Sequence, residues 1–156
     1  MNFFGFEPVA WLADINYALG SISLPAIWLG FGFTTLIMLA GLNDIPRSYY
    51  EAAVIDGANA FHKMIYITIP LLRNIFLYIL VVGVTGAIQQ FDLPYMMTGG
   101  GPLNETMTPN LFIYNHFTSD PYMGYTISAA LLLFLMLGGI SAIIFKLFNS
   151  KKGLDA

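Results

Sequence analysis

The chain has 156 residues, 57% of them hydrophobic and only 10% charged, with a net charge of −3 and no cysteine. Soluble domains carry about 25% charged residues, so this is the composition of a chain dissolved in lipid. Without cysteine there is no disulfide framework and no Cys-based metal site. With no basic cluster beyond Lys151-Lys152, nothing here suits a nucleic acid.

Residues 1–23 are aromatic-rich and irregular, hold Glu7 and Asp14, and contain no Lys or Arg. A secretory signal needs a basic start, so this stretch reads as an external loop or interfacial segment, with Trp11 near a headgroup layer. The first span is predicted over 24–42, nineteen residues without a charge, which gives about 28 Å of helix, enough for a hydrocarbon core. Gly30, Gly32 and Thr34 make part of its surface small. Such residues read either as close helix contact or as simple tolerance.

Residues 45–73 are the only long polar interruption, and they hold five of the fifteen Asp, Glu, Lys and Arg residues. Two short helices are predicted to meet there at a glycine. Pro46 and Ser48 open the first, with a capping box expected from Ser48 to Glu51; Asp56 ends it and Gly57 stops it. Asn59 is placed to cap the second, whose Phe61, Met64 and Ile65 share a face. Pro70 predicts the break before the next apolar run.

The second span is predicted over 74–91, with Gly83 and Ala87 as a small-residue pair for a neighbouring helix. Gln89, Gln90 and Asp92 cluster at its far end. Polar groups there face either a solute pathway or its outer mouth, or else mark the point where the span reaches the interface. The loop 92–121 holds Asp92, Glu105 and Asp120 and no Lys or Arg. Its run Thr98-Gly99-Gly100-Gly101-Pro102 lacks the Gly-Lys-Ser/Thr of a phosphate-binding loop and reads as a tight turn. Asn104-Glu105-Thr106 matches a glycosylation sequon, a pattern short enough to arise by chance, and 111–117 is a candidate interfacial helix. The third span is predicted over 122–145, with Gly138 and Ala142 spaced for packing, and 149–156 forms a tail.

Every Lys and Arg lies either in 47–73 or in 146–152. The positive-inside rule makes both regions cytoplasmic, which puts 92–121 and the N-terminus outside and the C-terminus inside. The fold class is therefore an all-α integral membrane protein, three transmembrane helices with a cytoplasmic helix-turn-helix loop between the first and second. No catalytic residue or metal site is expected. His62 and His116 fall in opposite loops, Glu51 and Asp56 are five apart and do not share a helix face, and nothing resembles an activated nucleophile.

Glu51-Ala52-Ala53, three residues, Gly57, nine residues and Ile67-Thr68-Ile69-Pro70 together resemble the EAA loop of bacterial ABC importer permeases. The family's usual ending is Ile-x-Leu-Pro, so Ile69 is a mild departure. Ala40-Gly41-Leu42, Ile45-Pro46, Asp56-Gly57-Ala58, Phe91-Asp92 and Thr98 to Pro102 extend the likeness towards the sugar and glycerol-phosphate branch, over roughly residues 8 to 148. The resemblance implies a multi-pass permease subunit in the bacterial inner membrane, 24–148 being part of its transmembrane domain, that carries a sugar or related polyol. It implies a second permease subunit, cytoplasmic ABC ATPase subunits, an external solute-binding protein and membrane lipid as partners. ATP and Mg would be used by the ATPase subunits, with no cofactor on this chain. Glu51, Ala52, Ala53, Asp56, Gly57, Ile67 and Pro70 would then form the ATPase-docking loop. Three spans are few to enclose a pathway, and the matched region resembles the C-terminal half of such permeases, so further spans are expected before it. The competing expectation is a non-transporting membrane scaffold or a channel fragment, sharing only hydropathy with the importers. Such a protein has no need of this loop spacing.

Overall fold

The computed structural model describes residues 9–119 and 123–149. Glu7, Asp120, Tyr122, Lys151, Lys152 and nearly all of the predicted tail lie outside the described residues. All regular structure among the described residues is helical. Among the described residues three segments are long and apolar enough to cross a membrane: Ala18–Asn43, Arg73–Met97 and Met123–Phe148.

The first of these is α1, Ala18–Asn43. It starts earlier than the predicted residue 24 because its serines cost it nothing. Ser21 Oγ donates to the Tyr17 carbonyl at 2.8 Å and Ser23 Oγ to the Leu19 carbonyl at 2.7 Å, so both hydroxyls are satisfied within their own turn. Pro25 sits inside the helix; it removes one backbone donor, a loss that membrane helices tolerate. At the usual rise α1 is about 39 Å long, more than a hydrocarbon core. Before it, 10–17 form turns rather than an extended loop, with Trp11 edge-on to Tyr17 at 5.6 Å.

Then follow α2, Arg47–Ile55, α3, Ala60–Lys63, a π-turn over Met64–Thr68, α4, Ile69–Leu71, and α5, Arg73–Ile88. Pro70 does not break the chain where the sequence predicts. In α geometry its ring would meet the carbonyl four residues back; the turn widens instead, and the Ile69 N–H reaches the Met64 carbonyl five residues away. The bend falls at Leu72 (φ −80°, ψ 0°), and even there the ladder continues, from Leu72 N–H to Thr68 and from Phe76 N–H to Leu72.

Beyond α5 come α6, Asp92–Met97, α7, Pro109–Ser119, and α8, Met123–Asn149. The predicted loop 92–121 is thus largely helical, with a tight turn between α6 and α7. Gly99 and Gly100 have φ of 61° and 93° there, a region in which side chains clash.

The chain divides into two units, Met1–Leu29 with Val84–Ala142, and Gly30–Gly83 with Ile143–Ala156. Within the first, Ala18, Ile22 and Leu111 are buried, and Thr106 bonds Thr98 Oγ1 at 2.6 Å and the Gly101 carbonyl at 2.8 Å. Within the second, Leu72 packs beside Gly41, and Ile45 and Ala53 are buried. Large apolar side chains elsewhere on the spans stand exposed, Trp28 at 80% and Phe134 at 71%. In water such surface would cost about 25 cal/mol per Å², and in a bilayer it costs nothing. Among the described residues nothing lies within 4 Å of the place a Cβ would take at Gly30, Gly32 or Gly138.

Candidate functional site

The helical hairpin from α2 to α4 is built from its caps. Pro46 (φ −58°, ψ 134°) is the residue before α2, and no side chain caps it. The predicted capping box therefore does not form. With Pro46 setting the helix start, Ser48 is already the second helical residue, too late to receive the first free N–H groups. At the other end the prediction of a glycine stop agrees with the geometry. Gly57 has φ 76°, its N–H bonds the Val54 carbonyl at 3.0 Å, and Ala58 N–H bonds the Ala53 carbonyl at 2.8 Å. That pair of bonds is a Schellman motif. Asn59 then opens α3, its side-chain oxygen accepting from His62 N–H at 2.9 Å.

One hydrogen bond ties the two arms together. Thr68 Oγ1 donates to the Lys63 carbonyl at 3.4 Å, which leaves the Tyr50 hydroxyl to donate to Thr68 at 2.9 Å. Lys63 precedes the π-turn and Thr68 is its last residue, so the irregular backbone and the cross-arm bond form one small network. No local pattern in a sequence pairs residues eighteen apart, and this link was not legible there.

Glu51, Ala52 and Asp56 are exposed on the hairpin and Ala53 is buried beneath them. Ile67 lies half-buried in the π-turn and Pro70 exposed in α4. Val54, Ile55, Phe61 and Tyr66 add exposed apolar surface, Ile55 at 87%. The hairpin thus combines a fixed turn, the exposed Glu51 carboxylate and an exposed apolar surround.

Gln89 and Gln90 follow the end of α5, and Asp92 starts α6. Asn110 Nδ2 donates to the Gln89 carbonyl at 2.7 Å, satisfying a group the helix end leaves free. Gln90 lines an apolar cavity of about 330 Å³ with Ile22, Ser23, Ala87, Leu93 and Thr108. Asp92 is exposed as the first residue of α6 and does not line it. Close by, Phe91 stacks on Tyr95 at 5.2 Å, and Tyr114 meets both edge-on. Hydrogen bonding with Tyr95, then the Tyr95 charge and desolvation, hold the Tyr114 phenol above its ordinary range. Among the described residues no group of three His, Cys, Asp or Glu side chains could hold a metal.

The pattern of one family, described as "Binding-protein-dependent transport system inner membrane component", matches residues 1–152. The sulfoquinovosyl glycerol transport system permease protein SmoG of Agrobacterium fabrum is 38% identical over 151 residues, 97% of this chain and 49% of that protein. The trehalose/maltose transport system permease protein MalF of Thermococcus litoralis is 37% identical over 122 residues, 78% of this chain and 41% of that protein. The lactose transport system permease protein LacF of Rhizobium radiobacter is 34% identical over 149 residues, 94% of this chain and 50% of that protein. The chain spans about half the length of these curated relatives.

Proposed function

The chain belongs to the family of binding-protein-dependent transport system inner membrane components, and we propose that it works within the membrane-spanning permease of an ATP-driven sugar importer. The observation that carries this reading is the α2–α4 hairpin. It holds Glu51-Ala52-Ala53 and Gly57 at fixed spacing between two apolar spans and leaves its outer side chains uncovered. The solute class follows the relatives, whose names refer to sugars or sugar conjugates.

In this proposal the hairpin is cytoplasmic, because Arg47, Lys63 and Arg73 lie in it or at its end and Lys146 lies in the last turn of α8. The turn between α6 and α7 is external. ATPase subunits seat the hairpin, and their closure moves it as a rigid piece: the Schellman turn, the Asn59 cap and the Tyr50–Thr68 bond fix its shape, so displacement passes into α5. A second permease subunit covers exposed span faces, and a solute-binding protein delivers sugar outside. Gln90 and its cavity are the pathway candidates on this chain, with Gln89 and Asp92 at the outer mouth. The chain itself carries out no chemistry; ATP and Mg act on the ATPase subunits.

The test is uptake of labelled sugar into vesicles holding the complete importer with ATP inside or outside as orientation requires. Uptake is expected to need this chain, the second permease subunit and the ATPase together. Sugar flux through this chain alone, without ATP, would favour the channel alternative instead.

A further inference from the structure

We propose that Asn110 is a positioning residue for the cavity at the end of α5: it fixes the peptide group from which Gln90 projects, and so sets the Gln90 amide in the cavity wall. The inference rests on the reading of Gln90 and its cavity as part of the solute pathway, and adds a residue that does not itself line it.

The Gln89 carbonyl accepts from the Asn110 side chain at 2.7 Å. A carbonyl oxygen can only accept, so the Asn110 atom facing it is the amide nitrogen. That carbonyl belongs to the planar peptide group that also carries the Gln90 N–H. The N–H edge is held weakly, reaching the Ala87 carbonyl at 3.4 Å. Gln90 lies past the end of α5 and before the start of α6, so no helical ladder orients it. The short bond from Asn110 therefore sets this plane, and with it the direction in which the Gln90 side chain leaves the backbone.

Asn110 is anchored well enough to do this. It is the second residue of α7, next to the fully buried Leu111, and the turn before α7 is tied by the Thr106 bond to the Gly101 carbonyl. Thr108, two residues earlier, lines the same cavity, so one bond joins the chain beside two of its polar lining residues. Gln90 brings the one amide side chain to a mostly apolar lining. An amide both donates and accepts, as neighbouring sugar hydroxyls require, and such bonds weaken steeply when their angles are wrong.

The test uses the complete importer in liposomes, with single cysteines in a chain that has none of its own. Asn110 bonds the backbone, so the bond survives Gln90→Cys, and a nitroxide on that cysteine reports how well residue 90 is ordered. Asn110→Asp keeps the size, suits the first turn of α7 as an acidic residue, and replaces the donor by an acceptor. We expect Asn110→Asp to add a mobile component to the spectrum at residue 90 and to leave the spectrum of a nitroxide at Leu103→Cys unchanged. An unchanged spectrum at residue 90, or equal loosening at Leu103, overturns the inference. Uptake tests the reading beneath it, with labelled trehalose, maltose or lactose, whichever the parent importer carries. Asn110→Asp and Gln90→Ala should each slow uptake about tenfold. The double variant should stay within about twofold of Gln90→Ala, since both act through one side chain. Losses that multiply in the double variant would give Asn110 an independent role and overturn the inference. Parent-like uptake by Asn110→Asp while Gln90→Ala is slow leaves the pathway standing and removes only Asn110 from it. If residue 90 loosens but Gln90→Ala carries sugar like the parent, the pathway reading falls, and Asn110 positions a side chain that transport does not use.

Discussion

Gly41 of α1 and Ile75 of α5 approach so closely that a Cβ on the glycine would run into Cδ1 of the isoleucine, with Leu72 Cδ2 only 3.1 Å away. Here α1 and α5 share a contact in which any side chain on the glycine has to displace the tip of Ile75. Leu72, at the bend, is 3% exposed against the same point.

The first prediction follows from that contact. Gly41→Ala should be tolerated at a modest cost, because the tip of Ile75 can rotate. Gly41→Val adds branches that must also displace Leu72, and it should cost about 1–3 kcal/mol, as overpacking does. Gly30→Ala meets open space and should stay within about 0.5 kcal/mol of the parent. Thermal unfolding of the importer in detergent distinguishes the three. Equal midpoints for Gly41→Val and Gly30→Ala would show that the contact is not part of the native packing.

Much of this architecture is legible in composition and periodicity, because a bilayer leaves few options: uncharged runs become spans, and the charged run between them becomes the hairpin. Gly57 and Asn59 are readable for the same kind of reason, each answering a local need of a helix end. What fails is local logic overridden by neighbours in the chain. Ser48 looks like a cap and is displaced by Pro46; Pro70 looks like a break and is absorbed by a π-turn. Gly41, read only for its place in a resemblance, owes its importance to residues more than thirty positions away. The proposed ATPase-docking roles come from the resemblance, because contact with a partner leaves no local pattern of caps or periodicity in the chain that makes it.

A second prediction concerns the turn between α6 and α7. Thr106 is 2% exposed and its hydroxyl bridges Thr98 Oγ1 and the Gly101 carbonyl. Thr106→Val keeps the shape and takes the donor from the Gly101 carbonyl, while Thr98 Oγ1 keeps its bond to the Pro94 carbonyl; the cost should be about 1–3 kcal/mol. Thr106→Ser should recover most of it. Limited proteolysis at the turn, compared across the three proteins, reads the effect; equal cleavage rates would mean that the buried bond does not hold the turn.

Topology gives the third. The chain has no cysteine, so single cysteines label without background. Ile55, 87% exposed, and Leu103, 84% exposed, are suitable sites. In intact cells an impermeant maleimide should label Leu103→Cys, and Ile55→Cys only after the membrane is opened. Labelling of Ile55→Cys from outside would reverse the orientation and remove the hairpin from any cytoplasmic ATPase.

The last prediction separates docking from folding at Glu51 and Gly57. Had Glu51 completed a capping box, its removal would have cost helix stability and blurred the result. The structure leaves its side chain exposed and outside any cap, so Glu51→Gln should not move the unfolding midpoint. If Glu51 meets a basic residue of the ATPase subunit in a desolvated, hydrogen-bonded pair, losing the charge should weaken binding by roughly 30-fold or more. Gly57 acts through geometry instead. At φ 76° a β-branched side chain clashes with its own backbone, at a cost of about 1–2 kcal/mol or more, whereas asparagine tolerates this region. Gly57→Asn should therefore keep the turn and sugar-coupled ATP hydrolysis, and Gly57→Val should lose both together. A Glu51→Gln importer that binds and couples like the parent would make Glu51 a bystander. If Gly57→Val also couples normally, the hairpin is not the element through which the ATPase moves the spans.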